Sequence, residues 1–483
     1  MRKTIDNIIY NGLYQLLILA LPMITVPYVA RVLGARVLGT YSYVTSISMF
    51  LSFVILMGMN QLGARNIAQS KRDSESLGKN FVELWKIQLL VGCLVVAGYC
   101  LFAVFSDYRK YLLLNIPYLI GFIIDISWFF IGLGEVRKVV TRNTIIKLCS
   151  VVLIFIFVKN KNDLGSYILI NSLGILVANI IFWLNMKGIL SKSSFKNFSS
   201  KSVFLKESLI LVVPQLAVQF YTNFDSTLVG MIAGPTQLSY YDQSQRIARM
   251  LLALITSVST ILMPKMSQLR MNKENDKKVA QLLKVSLDYT LIIALLFTAL
   301  LMVSSAEFVP WFYGNEYRPM INNMFWVSLI MIFIAYGGVL SSQFTLVNGD
   351  YKKYSIPSIV GAFFSVILNI IFAYFWRADG GTAVIIITEF MVCFMRIYLI
   401  RKEVNLQQLM HEQLKYIVAF VLTVLICMNI KVSLASLFAT MVINSVIVTV
   451  IYILILLVLR TRMISDVKQH KALFLRKKEK LND

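Results

Sequence analysis

The chain has 483 residues, of which 58% are apolar and 15% are charged. Soluble globular chains are about 45–50% apolar and about 25% charged, so this composition excludes a soluble multidomain enzyme, a disordered chain and a secreted disulfide scaffold. A membrane-spanning helix needs about 20 consecutive, mainly apolar residues, and this chain has enough of them for many spans. We therefore expect a polytopic membrane protein.

The apolar runs predict about fourteen membrane spans. Continuous runs of this length exclude the alternating strands of a transmembrane barrel, so the predicted fold class is all-α. In chain order the spans lie at roughly 8–30, 40–62, 86–105, 111–133, 140–158, 164–186, 208–233, 247–264, 285–305, 322–347, 355–376, 382–400, 413–430 and 436–459.

The net charge of +23 is distributed unevenly between the two sides of the predicted spans. In a soluble protein such a charge would suggest a nucleic-acid partner. Here most basic residues lie in short loops on one side, including the loop 187–207 and the tail from Arg460. Such loops face the cytoplasm. We therefore expect no nucleic-acid partner and a multi-pass protein of a bacterial cytoplasmic (inner) membrane with both termini cytoplasmic.

Two pairs of segments indicate an internal repeat. The segment VARVLGARVLGTYS begins at Val29 and VGMIAGPTQLSYYD at Val229, an alignment that places Gly34 opposite Gly234. A second echo relates GEVRK after span four to GDYKK after span ten. Six spans return the chain to the same side of the membrane, so spans 1–6 and 7–12 are predicted to form two parallel six-helix bundles related by a pseudo-twofold axis. Spans thirteen and fourteen stand outside the repeat.

The repeat predicts three parts: an N-terminal bundle at 1–206, a second bundle at 207–400, and two further spans with a basic tail at 401–483. Paired bundles of this kind are typical of transporters, which usually bind substrate between the halves near mid-membrane. The chain has no Walker A motif and no cluster of metal-ligating residues. We therefore predict a transporter and not an enzyme, with no metal and no cofactor, driven by its substrate gradient, by H⁺ or Na⁺, or by removal of product.

Four arginines are candidates for binding an anionic substrate. Arg31 and Arg36 bracket the turn between spans one and two, and Arg246 and Arg249 open span eight. The repeat makes these regions near-equivalents on the outer side, where guanidinium groups could bind phosphate oxygens in a bidentate manner. The alternative is that these long side chains extend to the outer interface without a ligand.

Two aspartates and an asparagine are candidates for ion coupling. Asp125 lies deep in span four with no basic residue within helical reach, and Asp225 lies in span seven close to Asn223. An intramembrane carboxylate can bind Na⁺ or carry a proton. The alternative is a salt bridge or a helix-end hydrogen bond that fixes the bundle.

Several segments also resemble a known family. The main ones are PYVARVLGARVLGTYS, IDISWFFIGLGEVRKVVTRNTIIK and FDSTLVGMIAGPTQLSYYDQSQRI, joined by SVSTILMPKMS, WFYGNEY and LVNGDYKKY. Their order and spacing resemble the polysaccharide flippases of the multidrug/oligosaccharidyl-lipid/polysaccharide exporter superfamily. The resemblance extends over nearly the whole chain.

This resemblance implies a flippase that moves undecaprenyl-diphosphate-linked oligosaccharide across the membrane by alternating access, for capsule, O-antigen or other surface polysaccharide. It implies a cationic cavity in which the Arg31 and Arg36 region helps to hold diphosphate or acidic sugar, with Arg65 and Arg142 near the inner mouth. On the same basis Asp125 and Asp225 become the coupling candidates of an antiporter. The polysaccharide polymerase and the export machinery are candidate partners.

Three alternatives remain open from sequence. The first is an exporter of the same superfamily that moves a lipid-linked peptidoglycan precursor or drugs. The second is a membrane polysaccharide polymerase or glycosyltransferase, which should carry a sizeable outer loop or a soluble catalytic domain. The third is a channel, which would need a selectivity filter.

Overall fold

In the computed structural model, the regular elements of the described residues are helices, with no strand among them. The structure describes residues 2–186, 219, 223–270, 276–430 and 432–461. This arrangement confirms the all-α class predicted from the apolar runs.

The chain forms two compact units. Unit 1 comprises Met1–Asp242 and Asn369–Arg377, and unit 2 comprises Gln243–Leu368 and Ala378–Asp483. The parts predicted at 1–206, 207–400 and 401–483 remain predictions.

Unit 1 is built from long helices and short ones that interrupt a span. Its helices are α1 (Arg2–Leu56), α2 (Met59–Ser70), α3 (Ser74–Val104), α4 (Arg109–Leu114), α5 (Ile116–Ile123), α6 (Ser127–Gly132), α7 (Val136–Phe157), α8 (Leu164–Asn185) and α9 (Asp225–Ala233). The next helix, α10 (Pro235–Arg270), begins in unit 1 and continues in unit 2. Span four, predicted at 111–133, is found as a membrane-spanning segment at Arg109–Gly132, and it consists of the three short helices α4, α5 and α6.

Unit 2 is organised around one long helix. Its further helices are α11 (Asp276–Phe312), α12 (Met320–Val327), α13 (Ile330–Val339), α14 (Tyr351–Ile400, of which Asn369–Arg377 belongs to unit 1), α15 (Leu406–Met410), α16 (Gln413–Asn429) and α17 (Leu437–Val458), with a π-helix at Leu340–Thr345. α11 packs against α12, α13, α16 and α17, so the two last spans belong to the core of this unit.

Ten helical segments of the described chain are long and apolar enough to cross a membrane. Two of them, Ala20–Ser70 and Tyr351–Ile400, each hold two predicted spans. Span eight lies in α10, which begins with a polar stretch at Pro235, and span seven at 208–233 falls largely outside the described residues. Two of the ten segments count as two spans each, and spans seven and eight add two more. The ten segments are therefore compatible with the predicted fourteen spans.

The glycines of the first sequence echo share one backbone conformation. Gly34 interrupts α1 with φ 76° and ψ 170°, and Gly234 joins α9 to α10 with φ 86° and ψ 169°. This region of φ and ψ is open to almost no residue except glycine. The agreement supports the repeat and gives the physical reason why glycine stands at both positions.

The second echo also has matching structure. Gly134 and Gly349 both have positive φ, at 78° and 72°. The residue after each glycine pairs with a lysine three positions on: Glu135 with Lys138 and Asp350 with Lys353, each at 2.8 Å. Two unrelated loops would not be expected to share both features, so this echo also supports the repeat.

The Asp350 carboxylate gives the loop before α14 a pH dependence. Hydrogen bonds from the Lys353 side chain and backbone N–H lower the pKa of Asp350 below its usual value. A lowered pKa stabilises the folded loop at neutral pH, and this contribution is lost as the pH falls through the pKa of the folded state.

We expect Asp350→Asn to lower the Tm at pH 7 but not near pH 3, measured by thermal unfolding of purified protein. Asp107→Asn, at an exposed loop, is the control, and a deficit that persists at low pH would contradict the charge-based explanation.

An aromatic core fixes the inner helices of unit 1. Phe81 of α3 contacts Trp128 and Phe129 of α6, with ring centroids 5.6 and 5.0 Å apart. Phe130 stacks on Phe182 of α8 at 4.6 Å. All five rings are buried. This packing holds α6 and α8 rigidly beside the polar groups described below.

Candidate functional site: a polar network and a basic pocket in unit 1

Span four is interrupted between α5 and α6 at residues 124–126, inside a membrane-spanning segment. Such an interruption frees backbone carbonyl groups that lipid cannot satisfy. The second echo aligns Gly134 with Gly349, and the same offset takes Asp125 to Leu340, the first residue of the π-helix. Both repeats therefore depart from α-helix at equivalent positions. Broken helices at corresponding positions of two repeats are a common mark of transporter binding sites.

Side chains from α3 and α8 satisfy the carbonyl groups of the break. The Gln88 side-chain amide donates to the carbonyls of Phe122 at 2.8 Å and Asp125 at 2.9 Å. The Trp183 indole N–H donates to the Ile124 carbonyl at 2.7 Å. The interruption of the helix is therefore stabilised by specific hydrogen-bond partners on α3 and α8.

Asp125 itself makes a helix-end hydrogen bond. Its Oδ1 accepts from the Ser127 backbone N–H at 2.8 Å, and its side chain is buried. The sequence expectation that no basic residue lies within helical reach of Asp125 concerns its own helix, and Arg142 lies on the next long helix, α7. The structure thus places Asp125 in the helix-end arrangement that sequence left open as the alternative, and its role in ion coupling remains a proposal.

Arg142 is held in one orientation by neutral partners. Its Nη1 donates to the Asn179 Oδ1 at 2.6 Å and to the Ala178 carbonyl at 3.1 Å, and its Nη2 donates to the Asn143 Oδ1 at 2.6 Å. The guanidinium also lies 3.8 Å from the centre of the Phe182 ring. Asn179 in turn donates to the Gly121 carbonyl at 2.8 Å, so Arg142 is linked through Asn179 to the last turn of α5, next to the break.

A basic pocket of about 630 Å³ lies beside Arg142. It is formed by the first turns of α7 and the last turns of α8, and we call it the α7–α8 pocket. Its charged lining consists of Arg137, Lys138, Arg142 and Glu135, and its apolar lining includes Ile145. Among the described residues of the lining, the charged side chains are three cations and one carboxylate.

Asp225 lies on a polar contact between α1 and α9. Ser46 of α1 is hydrogen-bonded to Thr227 of α9 at 2.8 Å, and Phe50 contacts Phe224 at 5.3 Å. Asp225 stands between Phe224 and Thr227 in sequence and is 1% exposed. A carboxylate therefore lies buried in unit 1, beside residues of the repeat region.

Two residues at corresponding positions of the first echo, Ser42 of α1 and Asp242 of α10, are hydrogen-bonded to each other. Ser42 donates to the Asp242 Oδ2 at 2.7 Å. Asn223, the third candidate for ion coupling, donates to the Gln219 side-chain oxygen. Asp242, Ser46 and Thr227 thus add polar groups to the region of Asp225.

The remaining candidate arginines are divided between the two units. Arg31 and Arg36 lie on either side of the Gly34 turn, and their side chains are exposed, as is Arg65 on α2. In unit 2, Arg246 and Arg249 lie on α10 and are partly buried, and Arg249 donates to the Gln245 side chain at 3.2 Å. Their roles in substrate binding remain predictions.

Sequence reasoning missed Gln88, Asn179 and Trp183, which satisfy the break and position Arg142. The available signal was the presence of an amide side chain in an apolar span, because such a group must find a partner within the protein. What sequence could not give is the identity of the partner, since the partners are on other helices.

The fold is shared with solved transporter structures. The chain is similar to the structure of the lipid II flippase MurJ in an inward closed conformation, with a TM-score of 0.64, 15% identity and coverage of 87% of this chain and 96% of that chain. An inward-facing multidrug resistance MATE family transporter of the MOP superfamily gives a TM-score of 0.63, with 16% identity and coverage of 81% and 94%. At such identities the likeness concerns the fold, which is that of a multi-pass membrane transporter.

The chain belongs to the polysaccharide biosynthesis protein family, which matches residues 4–270. Two curated relatives bear the name "Putative O-antigen transporter". The relative from Shigella dysenteriae is 24% identical over 378 residues, which is 77% of this chain and 93% of that protein. The relative from Escherichia coli (strain K12) is 23% identical over 402 residues, or 82% and 96%. The resemblance to polysaccharide flippases is thereby confirmed, and the protein is a transporter and not an enzyme.

Proposed function

We propose that this protein moves a polyprenyl-diphosphate-linked oligosaccharide, of the undecaprenyl type, across the cytoplasmic membrane of a bacterium by alternating access. The cargo would serve O-antigen, capsule or a related surface polysaccharide. Both termini lie in the cytoplasm in this proposal, because the basic loops then face inward. A polymerase and export machinery would act on the delivered repeat unit.

The observation that carries the proposal is the match to O-antigen transporters over most of both chains. The polar groups of unit 1 add physical support. A charge inside a membrane helix is costly, and hydrogen bonds to Asn179 and Asn143 help to hold Arg142 there. A lipid-linked diphosphate is an anion with a hydrocarbon anchor, so its headgroup needs cations close to lipid.

We further propose that H⁺ or Na⁺ is the coupling ion. Asp225 is the better candidate of the two aspartates, because a polar surface of hydroxyl and amide groups surrounds its helix turn. Asp125 is the second candidate, although its hydrogen bond to the Ser127 N–H gives it a structural task as well.

The arginine roles lead to a direct prediction. Arg31→Ala and Arg246→Ala should reduce export about tenfold or more, since each removes a cation proposed to bind the anionic headgroup. Arg31→Lys and Arg246→Lys should retain part of the activity because the charge remains. The measurement is surface polysaccharide in cells that lack their own flippase and express each variant at equal membrane level.

Arg318→Ala provides the matched control, because Arg318 is an exposed arginine of a loop near α12. It should leave export unchanged. Normal export by both alanine variants, at normal membrane abundance, would show that these cations are not part of the transport path.

Substrate class can be tested in the same cells. Complementation of a strain that lacks an O-antigen flippase is expected, whereas rescue of a strain depleted of its lipid II flippase is not. Rescue of the second strain alone would favour a peptidoglycan precursor as cargo and would contradict the proposed substrate.

A further inference from the structure

A buried carboxylate and an arginine lie on one face of α14 in unit 2. Glu389 is 4% exposed and belongs to the membrane-spanning segment Tyr351–Ile400. Arg396 follows two helical turns later, so the two side chains share a face of the helix. Both residues are separate from the polar network and the basic pocket of unit 1.

Arg396 extends back toward Glu389 and occupies a space that a glycine leaves open. A Cβ atom at Gly337 of α13 would lie 3.0 Å from the Arg396 Nη1 and 3.5 Å from the Cys393 Cα. Helical side chains lean toward the N-terminus of their helix, so the guanidinium lies beside Cys393, about one turn from Glu389. Gly337 comes shortly before the π-helix, so Arg396 packs close to the place where this repeat departs from α-helix.

The two groups are near each other but are not paired. Within the described part of the chain, the Glu389 carboxylate accepts no hydrogen bond, although it is in electrostatic range of Arg396. The Arg396 Nε is buried and has no hydrogen-bond partner among the described residues. Arg396 as a whole is partly exposed, whereas Glu389 is buried. The arginine is therefore the member of the pair that a ligand can reach.

The surroundings of Glu389 include a second guanidinium at longer range. Arg249 of α10 is in electrostatic range of the carboxylate, and its Nη2 donates to the Gln245 side chain at 3.2 Å. On the α13 side the titratable neighbour is Tyr336, whose hydroxyl donates to the Gln413 Oε1 at 2.8 Å. The charges that act on Glu389 from these helices are thus positive.

A proton on Glu389 explains this arrangement. An ionised carboxylate without hydrogen-bond donors is strongly unfavourable in a buried site, and a bound proton removes that cost. Without its proton the carboxylate would be drawn to the Arg396 guanidinium, since buried opposite charges are stable only when they are closely hydrogen-bonded. The proton therefore determines whether Arg396 is neutralised within its own helix or is available to a ligand.

We propose that protonation of Glu389 controls whether Arg396 binds the diphosphate headgroup of the substrate. This inference rests on the proposed function, from which the diphosphate is taken. The headgroup and the ionised Glu389 compete for one guanidinium, so proton binding and headgroup binding favour each other. The proton on Glu389 accompanies the headgroup and is distinct from the coupling ion proposed for Asp225.

The test is the affinity of the purified full-length protein for undecaprenyl diphosphate in detergent, measured by microscale thermophoresis at about pH 5 and about pH 8. Variants are compared at the same pH, so the titration of the ligand itself cancels. We expect Glu389→Gln to bind about tenfold more tightly than wild type at the higher pH, equivalent to about 1.4 kcal/mol, and equally at the lower pH. Glutamine has the shape of the protonated carboxyl group, so the variant should fold normally.

Arg396→Gln provides the second arm of the experiment. It should weaken binding about tenfold at the lower pH. Adding Glu389→Gln to it should have no further effect, because the two residues act as one unit. Arg396→Lys should retain part of the affinity and takes the place of the glutamine variant if that protein does not fold.

Two exposed residues provide the matched controls. Arg401→Gln removes the same positive charge just after the end of α14, and Glu75→Gln removes a carboxylate at the start of α3. Each should change the affinity by less than about twofold at either pH. Equal affinities of wild type and Glu389→Gln at the higher pH would overturn the proposal, and so would additive effects of Glu389→Gln and Arg396→Gln.

Binding does not require transport, so this inference and the proposed function fail separately. Protein that shows the expected affinities but does not move the lipid contradicts only the flippase. Protein that moves the lipid, with affinities unaltered by both substitutions, contradicts only the role of Glu389 and Arg396.

Discussion

Gly39→Ala is expected to abolish stable folding of the protein. A Cβ atom at this position would lie 1.7 Å from the Pro235 carbonyl oxygen and 2.4 Å from its carbon, which is far inside van der Waals contact. These are backbone atoms, so a change of rotamer cannot relieve the overlap. The second part of α1 would have to move away from the start of α10, and the hydrogen bonds Ser42–Asp242 and Ser46–Thr227 lie on the same contact face.

We expect the loss in stability to exceed the roughly 1–3 kcal/mol typical of overpacked cores. The measurement is the yield and Tm of detergent-purified protein in fluorescence-detected size-exclusion chromatography. Gly98→Ala is the control, since a Cβ there would meet nothing within 4 Å, and alanine favours helix over glycine by about 1 kcal/mol. Gly39→Ala protein with wild-type yield and Tm would show that α1 and α10 do not pack as described.

Gln88→Leu is expected to have the next largest effect. Leucine has a similar volume but cannot donate to the Phe122 and Asp125 carbonyls, which Gln88 reaches at 2.8 and 2.9 Å. It also cannot accept from the Trp128 indole N–H, which lies 3.1 Å from the Gln88 Oε1, although that N–H and the Asp125 carbonyl remain hydrogen-bonded to each other at 3.1 Å. The loss of a hydrogen bond at a buried group costs about 1–3 kcal/mol, so we expect a loss of roughly 2–5 kcal/mol over the several bonds removed.

The Tm of Gln88→Leu, compared with that of Gln69→Leu, checks this expectation. Gln69 is an exposed glutamine of α2, and its replacement removes the same amide without touching the break. Gln88→Leu with an unchanged Tm would mean that the carbonyls of the α5–α6 break find other partners.

The parts of the fold that depend on local sequence could be predicted. Long apolar runs indicate membrane spans whatever their neighbours are, and the echo around Gly34 and Gly234 reflects a backbone conformation that only glycine tolerates. The pairing of Glu135 with Lys138 is likewise local, since the two residues are three positions apart.

Features that depend on contacts between distant segments could not be predicted. The interruption of span four near Asp125 is stable because Gln88 from α3 and Trp183 from α8 satisfy its carbonyls. Span four is mainly apolar apart from polar residues such as Asp125, and its sequence does not indicate which side chains of other helices would satisfy these carbonyls. In the same way, Arg142 was expected near the inner mouth by resemblance alone, whereas its orientation depends on Asn179 and Phe182.

The central claim is that this chain moves a lipid-linked oligosaccharide between leaflets, and translocation in proteoliposomes tests it most directly. Purified protein is reconstituted with a fluorescent undecaprenyl-diphosphate-linked oligosaccharide in both leaflets, and the fraction that becomes accessible to a membrane-impermeant quencher is followed with time. We predict that the protein makes the shielded inner-leaflet pool accessible and that Arg31→Ala/Arg246→Ala slows this at least tenfold. A pool that stays as protected as in protein-free liposomes, with correctly folded protein present, would contradict the claim.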